Sequence, residues 1–480
     1  MTRPWLLGLA AALVSGSACH ASSGSPPART CTVAAPAAPD WRLRADGTVL
    51  RDGLGRVVFL HGVDAGGRSK FAPYVPFDYA PGQYGAALAA YMDRAASWGI
   101  DAMRVPFTWA ALEPVRGQDD QDWLSRYQQL LDAAWARGIW TVVDFHQDVY
   151  SESYCGDGFP TWTVPGAPAP HHDCPGWSFE YFNDKSVAAA FDAFWANTAG
   201  VQDAYIAAWD VMIGKLKDQA GVVGFEPINE PGWGSQDAQK FEATTLTPFY
   251  AMMVPHMRGL APLSLVFVDP TGFAGTIVST ELTLPQVPGV VFAPHFYPIG
   301  AGNPDNVLSG MQKWATLGAT WNVPVFVGEF GISHGSGAAP DYMAAHFAAL
   351  DATGMSGTEW EYSVESEEWN SESDSVVAAD GTEYPVAQVL VRPFARAVPG
   401  EAIAQSWDAT SSTFALSFTP STAAGSTVTE VQLPARAYPG GYGVTLSGGC
   451  YDASSVPGRM LVQADDGATQ VALTIAPAGS

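Results

Sequence analysis

Short runs of Val, Ile, Leu and Phe alternate with longer stretches rich in Ala, Leu and Trp between residues 57 and 361. The short runs have the length of buried strands, whereas the longer stretches are typical of helices. This alternation predicts parallel strands connected by helices. Eight strands can be assigned, and eight predict a closed (β/α)8 barrel. They are placed near residues 57–63, 101–107, 139–144, 222–229, 263–268, 290–293, 325–328 and 357–360.

The pattern changes after residue 390. Segments of alternating Thr, Phe, Leu and Val, separated by Gly and Pro, replace the helical stretches. This alternation predicts a small antiparallel β-sandwich. The sequence therefore predicts an α/β fold, a (β/α)8 TIM barrel followed by a C-terminal β-sandwich. The predicted bounds are 1–19 for a signal peptide, 20–40 for a flexible tether, 41–390 for the barrel and 391–480 for the sandwich.

Two of the predicted strands end in glutamate. The fourth runs into Asn-Glu-Pro at residues 229–231, and the seventh runs into Gly-Glu-Phe-Gly at residues 328–331. Because the carboxyl ends of barrel strands meet at one rim, Glu230 and Glu329 are expected to lie close together. Glycoside hydrolysis uses such a pair of carboxyl groups, one on each side of the bond that breaks.

The two motifs, in this order, resemble the acid/base and nucleophile strands of the retaining glycosidases of glycoside hydrolase family 5. The resemblance implies that Glu230 is the acid/base, that Glu329 is the nucleophile, and that Asn229 binds the 2-hydroxyl group of the reacting sugar. Arg104, on the second strand, resembles the arginine that keeps the nucleophile ionised. A structural ion pair with Glu226 is the alternative for Arg104, and the two roles are compatible.

The sequence His-Gln-Asp-Val-Tyr at residues 146–150 follows the third strand. It is similar to the endoglycoceramidases, which cleave between the glycan and the ceramide of glycosphingolipids. The resemblance implies that His146 and Asp148 face the first sugar, and Lys70 matches a sugar-contacting lysine of these enzymes. Asp64 and the Gly-Gly pair at residues 66–67 differ from their pattern, so the resemblance leaves the choice of sugar open.

Two further strand ends match family 5. The sixth strand is followed by Ala-Pro-His-Phe-Tyr at residues 293–297, and the resemblance implies that His295 and Tyr297 orient the two glutamates. The eighth strand offers Trp360, at the position where family 5 places an aromatic floor for the sugar. The implied chemistry needs no metal ion and no organic cofactor.

Three loops at the predicted rim have a biased composition. Residues 151–185 and residues 71–79 are rich in aromatic side chains, and together they would form an apolar patch suited to a lipid tail and to contact with a membrane surface. The rings of the longer loop could equally pack on one another. The acidic segment of residues 361–374 is interpreted as solvated rather than as a metal site.

The chain carries 48 acidic and 23 basic residues among 480, a net charge of -25. Such a charge argues against binding to nucleic acids or to anionic membrane surfaces. It also slightly favours a neutral head group on the substrate. The chain is expected to act as a monomer.

The amino terminus predicts export. Arg3 precedes an apolar run at residues 5–14, which is too short to span a bilayer and is typical of a signal peptide. Gly-Ser-Ala-Cys at residues 16–19 is similar to a bacterial lipobox, so Cys19 is either lipidated or lost by ordinary cleavage nearby. The Ala, Ser, Pro and Gly residues that follow predict a flexible tether. We therefore expect a secreted protein or a cell-surface lipoprotein.

Export permits disulfide bonds. Apart from Cys19, the chain has four cysteines, which is an even set. Cys155 and Cys174 would close one loop. Cys31 and Cys450 could then tie the leading segment to the C-terminal domain.

The sequence predicts a retaining β-glycosidase that releases the glycan from a glycolipid, with glycosylceramides as the favoured class. One alternative is a family 5 endo-β-glucanase or mannanase acting on polysaccharide, and another is a β-glucosidase of steryl glucosides or glucosylceramide. A surface glycan-binding lipoprotein is the alternative without catalysis. Such a protein would ordinarily have lost one of the two carboxylates, and the motif at residues 147–150 counts against polysaccharide.

Overall fold

The computed structural model describes residues 28–37 and 40–479. The predicted signal peptide, the predicted lipidation of Cys19 and part of the predicted tether lie outside the described residues. The chain begins with three short strands, β1 (Arg44–Asp46), β2 (Val49–Arg51) and β3 (Val57–Val58). They pair with one another antiparallel.

Eight parallel strands then form the barrel. They are β4 (His61–Asp64), β5 (Ala102–Phe107), β6 (Trp140–Phe145), β7 (Val222–Glu226), β8 (Leu265–Val268), β9 (Val290–Phe292), β10 (Phe326–Val327) and β11 (Ser356–Glu359). Their order in the sheet is β10-β11-β4-β5-β6-β7-β8-β9. A parallel bridge between Phe292 and Val325 joins β9 to the start of β10 and closes the ring. The predicted (β/α)8 barrel is confirmed.

Helices surround the barrel. They are α1 (Tyr84–Trp98), α2 (Trp109–Leu112), α3 (Gln121–Trp135), α4 (Glu180–Asn183), α5 (Lys185–Trp195), α6 (Val201–Leu216), α7 (Ala238–Phe241), α8 (Thr247–Leu260), α9 (Gly272–Ile277), α10 (Val307–Trp321) and α11 (Ala339–Thr353). Their inner faces bury large rings, among them Trp98, Trp123, Trp209 and Trp314. Within residues 28–37 and 40–479, none of these helices has both the length and the apolar character needed to cross a membrane.

The remaining strands form the predicted β-sandwich. They are β12 (Phe394–Val398), β13 (Gly400–Asp408), β14 (Thr413–Pro420), β15 (Val428–Gln432), β16 (Tyr442–Ser447), β17 (Gly449–Asp452), β18 (Arg459–Ala464) and β19 (Val471–Pro477). One sheet has the order β1-β2-β3-β12-β15-β18-β17, and the other has the order β13-β14-β19-β16. Phe414, Val431 and Leu473 belong to the apolar core of this unit. Arg396 contacts Asp101 at 3.2 Å and links the sandwich to the barrel.

The prediction of one continuous strand at residues 57–63 was wrong. In the structure β3 pairs with β12 through Val58 and Ala397, and only β4 belongs to the barrel. All residues from 57 to 64 are buried, so the apolar pattern continues through the point where the chain changes sheets. The segment 44–58, which the sequence pattern places in the barrel domain, therefore extends a sheet of the sandwich.

Both expected disulfide bonds are present. Cys155 and Cys174 close the loop after β6, and Cys31 and Cys450 connect the leading segment to β17. The Cα atoms lie 6.0 Å apart in the first pair and 5.7 Å apart in the second, as disulfide geometry requires.

Candidate active site

A cavity of about 620 Å³ opens at the carboxyl ends of the barrel strands. This volume is typical of a site that encloses a small ligand. Six of the predicted site residues line it, namely Lys70, Asp148, Glu230, Tyr297, Glu329 and Trp360. The other four are buried residues outside that lining, namely Arg104, His146, Asn229 and His295.

Glu230 and Glu329 meet in this cavity, as the sequence predicts. One carboxylate oxygen of each and a ring nitrogen of His295 lie within 4.8 Å of one another. His295 Nδ1 is 2.8 Å from Glu230 Oε1 and 3.5 Å from Glu329 Oε2. Retaining glycosidases hold their two carboxyl groups about 5–5.5 Å apart, whereas inverting enzymes need about 6.5–9.5 Å. The two carboxyl groups are thus too close for the inverting arrangement, and they fit the retaining one.

The surroundings of Glu230 favour its protonated form. Burial raises the pKa of Glu230 to about 7, and the negative charge of Asp148 adds to the effect. Burial also lowers the pKa of His295 to about 4, so the neighbouring imidazole is neutral. A Cβ atom on Gly272 would lie 2.3 Å from the Glu230 carboxyl group, so a larger residue here would displace that group. Glu230 is therefore able to donate a proton near neutral pH.

Glu329 is held by donors. Its Oε1 accepts a hydrogen bond from Arg104 Nη1 at 2.7 Å, and its Oε2 accepts one from the Tyr297 hydroxyl at 3.2 Å. The side chain is almost fully buried. Hydrogen bonds of this kind fix the direction of a carboxylate, which a nucleophile requires.

Arg104 is fully buried and bonds to several acceptors. Its Nε and Nη2 atoms each donate to Glu226 at 2.9 Å, while Nη1 reaches Glu329. The ion pair with Glu226 and the contact with Glu329 therefore coexist. Arg104 Nη2 also donates to Asn229 Oδ1 at 2.8 Å, and Asn229 Nδ2 donates to the carbonyl oxygen of Gln147 at 3.1 Å. These bonds fix the orientation of the Asn229 amide beside the two glutamates.

One group of lining residues, Lys70, Asp148, Glu372 and Asp374, is ionisable, and we call it the charged wall. Lys70 Nζ lies 2.8 Å from Asp148 Oδ2 and 3.3 Å from both oxygens of Glu372. Although the group is buried, Asp148 and Glu372 raise the pKa of Lys70 above its ordinary value. Lys70 also lies 4.5 Å above the ring of Trp360. A buried and oriented ammonium group of this kind is suited to binding polar groups.

His146 lies beneath Trp360, with ring centroids 5.1 Å apart and nearly parallel planes. Its Nδ1 is 2.8 Å from Asp144 Oδ2, and its Nε2 is 3.4 Å from Asp148 Oδ2. Burial acts to lower the pKa of His146, but the carboxylates of Asp144 and Asp148 raise it well above the ordinary value. His146 therefore contacts both Trp360 and Asp148 and restrains their positions.

A second group of lining residues, Tyr181, Phe182, Trp233 and Phe273, is aromatic, and we call it the aromatic wall. Phe182 lies 4.9 Å from Trp233 and 6.3 Å from Phe273, measured between ring centroids. The wall adjoins Glu230, because Gln147 Nε2 donates both to the Tyr181 hydroxyl and to the carbonyl oxygen of Glu230. It is an apolar surface beside the predicted acid.

The loop of residues 151–185 divides between the two roles that the sequence left open. Phe159 is buried in the core, and Trp162 packs against Trp109. Trp177, Phe179, Tyr181 and Phe182 instead line the cavity. The sequence alone does not distinguish the aromatic residues that pack in the core from those that line the cavity, because they follow no regular spacing.

Two interpretations of the rim were wrong. The loop of residues 71–79 is not an exposed apolar patch, since Phe71, Val75 and Phe77 are buried. The segment of residues 361–374 is not simply solvated, since Glu361 is buried and Glu372 binds Lys70. Both segments are covered by elements distant in the sequence, so their local composition does not show their exposure.

Several residues of the cavity were not anticipated. Trp233 is three positions after Glu230, and this proximity was a usable signal for it. Phe273, in the short helix α9, and Glu372, in the loop after β11, carried no such signal, because neither lies in a recognised motif. They reach the cavity from the segments that follow β8 and β11.

Comparison with known proteins agrees with this geometry. Residues 74–366 match the sequence profile of cellulase, glycosyl hydrolase family 5. Residues 392–475 match the profile of the glycoside hydrolase family 5 C-terminal domain. The first match spans most of the barrel, and the second spans the sandwich.

The chain is similar along most of its length to an endoglycoceramidase. It is 31% identical over 474 residues to endoglycoceramidase I of Rhodococcus hoagii (strain 103S), covering 93% of this chain and 90% of the relative. It is 32% identical over 206 residues to an endoglycoceramidase of Cyanea nozakii, covering 38% of this chain and 40% of the relative. The solved lactosyl-enzyme intermediate of endo-glycoceramidase II from Rhodococcus sp. superposes with a TM-score of 0.74 and 25% identity, covering 90% of this chain and 100% of that one.

Proposed function

The chain belongs to glycosyl hydrolase family 5, and we propose that it hydrolyses the bond between the glycan and the lipid of glycosphingolipids with retention of configuration. The observation that carries the proposal is that one cavity is lined by a charged wall, by an aromatic wall and by the close pair Glu230 and Glu329. A glycolipid has two matching parts, because a polar sugar is joined to an apolar chain. The similarity to endoglycoceramidases supports the same assignment.

In the first step, Glu329 attacks the anomeric carbon of the sugar, and Glu230 gives its proton to the oxygen of the departing lipid. A covalent glycosyl-enzyme forms, and the bond to the lipid oxygen breaks. In the second step, Glu230 takes a proton from water, and the resulting hydroxide equivalent displaces Glu329 from the sugar. Each step inverts the configuration at the anomeric carbon, so the two steps together retain it.

The surrounding residues prepare these steps. Arg104 and Tyr297 donate to Glu329 and direct it towards the anomeric carbon. Neutral His295 shares a hydrogen bond with Glu230 Oε1 and fixes the direction of the acid. The sugar lies on the side of Trp360 and the charged wall. The lipid leaves along the aromatic wall, which adjoins the group that protonates it.

A substrate panel tests the proposal. The chain from residue 31 onwards is incubated with glucosyl-, galactosyl- and lactosylceramide, a steryl glucoside and a cello-oligosaccharide, and the products are identified by mass. We expect free ceramide and an intact glycan, and a loss of this activity in Glu230→Gln and Glu329→Gln. Cleavage of the steryl glucoside or the cello-oligosaccharide alone would assign the same two glutamates to a different substrate and refute the glycosphingolipid proposal.

We also propose that the rim of the aromatic wall contacts the membrane that holds the substrate. Phe179 is 66% exposed and Phe182 is 61% exposed, and both line the cavity mouth. Ile299 is 80% exposed and donates its backbone N–H to Thr276, another residue of the lining. Exposed apolar side chains at the entrance would enter the interface and bring the cavity to the lipid.

The membrane proposal is tested by sedimentation with neutral phosphatidylcholine vesicles. The triple variant Phe179→Ser/Phe182→Ser/Ile299→Ser should bind several-fold more weakly than the parent chain. Leu263→Ser is the matched control, since Leu263 is 63% exposed but precedes β8 at the opposite rim of the barrel. Equal binding by all three proteins would refute the proposed contact surface.

We further propose that the chain is exported and that Cys19 carries a lipid. The two disulfide bonds support export, because such bonds persist in oxidising compartments. Fractionation of cells that express the chain from Met1, with labelled palmitate, tests both points. Label that is lost in Cys19→Ala would support lipidation, and unlabelled protein in the medium would refute it.

A further inference from the structure

Glu230 has an unusual backbone conformation. Its φ angle is +37°, in the left-handed region that residues other than glycine rarely adopt. Such a conformation costs free energy and persists only where neighbouring groups hold it. It also sets the direction in which the Glu230 side chain leaves the backbone. The groups that hold this backbone therefore bear directly on the proposed proton transfer.

Asp269 holds the Glu230 backbone. It follows β8 directly and is buried, and its Oδ2 atom accepts a hydrogen bond from the backbone N–H of Glu230 at 2.8 Å. The same oxygen lies 3.5 Å from His295 Nε2, and His295 Nδ1 lies 2.8 Å from Glu230 Oε1. Asp269 thus contacts the Glu230 backbone and also the imidazole beside the Glu230 carboxyl group. The proposed reaction gives Asp269 no role so far.

The surroundings of Asp269 favour its neutral form. Burial raises the pKa of Asp269 well above its ordinary value. The charges of Glu226 and Glu230 add to this rise, whereas Arg104 opposes it. Asp269 Oδ1 has no hydrogen-bond partner among residues 28–37 and 40–479, and a charged group without a partner is costly to bury. A neutral carboxyl group accepts a hydrogen bond through its carbonyl oxygen, as an amide does, so the bond to Glu230 needs no negative charge.

The segment that begins at Asp269 is anchored from the side of α8. The Tyr250 hydroxyl donates to the carbonyl oxygen of Asp269 at 2.7 Å. Glu242 is buried and begins a π-helical turn (Glu242–Leu246) that precedes α8. Its Oε1 accepts from the backbone N–H and the hydroxyl of Thr271 at 3.0 and 2.9 Å. Its Oε2 accepts two bonds of 2.6 and 2.8 Å from the far end of the segment, namely from the Thr280 hydroxyl and the Glu281 N–H.

The same segment also approaches the carboxyl group of Glu230. Gly272 follows Thr271, and the Glu230 carboxyl group lies in the space that a Cβ atom on Gly272 would fill. The segment therefore contacts Glu230 at two places, the backbone N–H and the carboxyl group. A shift of the segment would move the proton donor, and a displacement of about 1 Å can lower a rate about 100-fold.

We propose that Asp269 is a positioning residue for the acid/base Glu230, and that Glu242 maintains its position. Asp269 holds the left-handed backbone that aims the Glu230 carboxyl group at the departing oxygen. Glu242 fixes the segment that brings Asp269 to this place. Neither residue lines the cavity, so both act through Glu230. The proposal rests on the proposed role of Glu230 as proton donor and extends it to the residues that place the donor.

The test compares two aryl β-lactosides whose phenols differ in acidity. A weakly acidic phenol needs a proton from Glu230 in order to leave, whereas a strongly acidic phenol leaves without one. The value of kcat/KM for each substrate is measured in the parent chain, Asp269→Ala, Asp269→Asn and Glu242→Gln. A general structural defect would lower both values, so the ratio of the two values reports on the proton donor.

We expect kcat/KM in Asp269→Ala to fall about 30-fold with the weakly acidic phenol and less than about threefold with the strongly acidic one. Asp269→Asn should keep most of the parent activity, because its amide oxygen can still accept the bond from the Glu230 N–H. Glu242→Gln loses one of its four hydrogen bonds, because an amide nitrogen cannot accept, and should show a selective fall of about fivefold. Glu242→Gln keeps the test valid if Asp269→Ala does not fold.

Asp157→Ala is the matched control. Asp157 is buried like Asp269, and its Oδ1 accepts the backbone N–H of Asp148 at 3.0 Å. The change therefore removes the same kind of bond from a different residue of the cavity, and its two kcat/KM values should fall together. An equally selective fall in Asp157→Ala would overturn the proposal. An unchanged ratio in Asp269→Ala, or a loss in Asp269→Asn equal to that in Asp269→Ala, would also overturn it.

Glu230→Gln separates this proposal from the assignment of Glu230 itself. It should abolish the reaction of the weakly acidic phenol and keep the first step with the strongly acidic one. An equal fall in kcat/KM with both phenols in Glu230→Gln would refute Glu230 as the proton donor. A selective fall in Glu230→Gln without one in Asp269→Ala would refute only the role of Asp269.

Discussion

The two walls of the cavity are built in different ways. The charged wall depends on pairs of groups from distant parts of the chain, such as Lys70 and Glu372, which are 302 positions apart. Each of these pairs has a defined distance, because a buried charge needs a placed partner. The aromatic wall consists of rings in loose contact, with centroids 4.9–6.3 Å apart. The hydrophobic effect has no preferred direction, so this wall depends on the apolar area that it offers rather than on defined distances.

The difference indicates how substitutions in each wall should affect activity. A change in the charged wall leaves a buried charge without a partner, so its effect should extend to every substrate. A change in the aromatic wall removes apolar area, so its effect should be confined to substrates with a lipid. The four predictions that follow test this contrast.

The largest effect is expected from Lys70→Met. The change leaves Asp148 and Glu372 facing one another without the ammonium group between them. We expect kcat/KM to fall about 100-fold, the size of one lost charge-assisted hydrogen bond. Steady-state kinetics should show the same fall with lactosylceramide and with a soluble aryl lactoside.

The double variant Lys70→Met/Glu372→Gln provides the control. It also removes the negative charge that Lys70 no longer compensates at Glu372, so part of the lost activity should return. A fall confined to the lipid substrate would contradict the assignment of Lys70 to the glycan side.

The second prediction concerns pH, because Glu230 lines the cavity together with both walls. Burial raises its pKa to about 7, and Asp148 adds to the rise. The proton donor is therefore present below this pH and is lost above it. We expect kcat/KM to fall about tenfold per pH unit above pH 7. In Asp148→Asn the fall should begin at a lower pH, since a negative neighbour has been removed.

An aryl glycoside with a strongly acidic phenol as leaving group is the control for this pH profile. Its departure needs no proton, so its first step should keep its rate above pH 7. If kcat/KM fell equally above pH 7 with the ceramide and with the acidic phenol as leaving group, Glu230 would not be the proton donor.

A smaller effect is expected in the aromatic wall. Phe273→Ser removes a ring that contacts Phe182 and Trp233, and one buried aromatic side chain contributes about 1.5–3 kcal/mol. Since the ring is only partly covered, we expect kcat/KM for lactosylceramide to fall about tenfold. The soluble aryl lactoside should be hydrolysed at the parent rate. A comparable loss with both substrates would remove the contrast between the walls.

The smallest effect is expected from the disulfide bonds. Asn370 binds the backbones of Cys155 and Cys174 and so anchors the segment that carries Glu372. Cys155→Ser/Cys174→Ser frees this anchor, so KM for the aryl lactoside should rise about threefold through misplacement of the charged wall. Cys31→Ser/Cys450→Ser breaks the other bond, which lies far from the cavity, and KM should not change. Urea unfolding should show a loss of about 2–4 kcal/mol in each variant. An equal rise in KM in both variants would show that the anchor has no local effect.

Each wall could be anticipated in part from the sequence: Lys70 and Asp148 of the charged wall, and, as one of two open interpretations, the loop that carries Tyr181 and Phe182. Asp148 lies in a motif, and the resemblance points to Lys70, so the sequence predicts both. Phe273 lies in the short helix α9 after β8, in a stretch with no distinctive pattern. An aromatic residue in such a stretch has the same local signature whether it fills the core, as Phe159 does, or lines a cavity. Only the packing of other loops around it decides between the two.

The sequence by itself determined the barrel, the sandwich and the meeting of Glu230 with Glu329. Each of these depends on local order, because strand periodicity is local and the carboxyl ends of parallel strands must share one rim. The tertiary structure alone decided that β3 joins the sandwich and that Glu372 neutralises Lys70. Both depend on hydrogen bonds and charge pairs between residues about 300 positions apart or more. Such contacts are set by how the whole chain closes around its core, and no local pattern contains them.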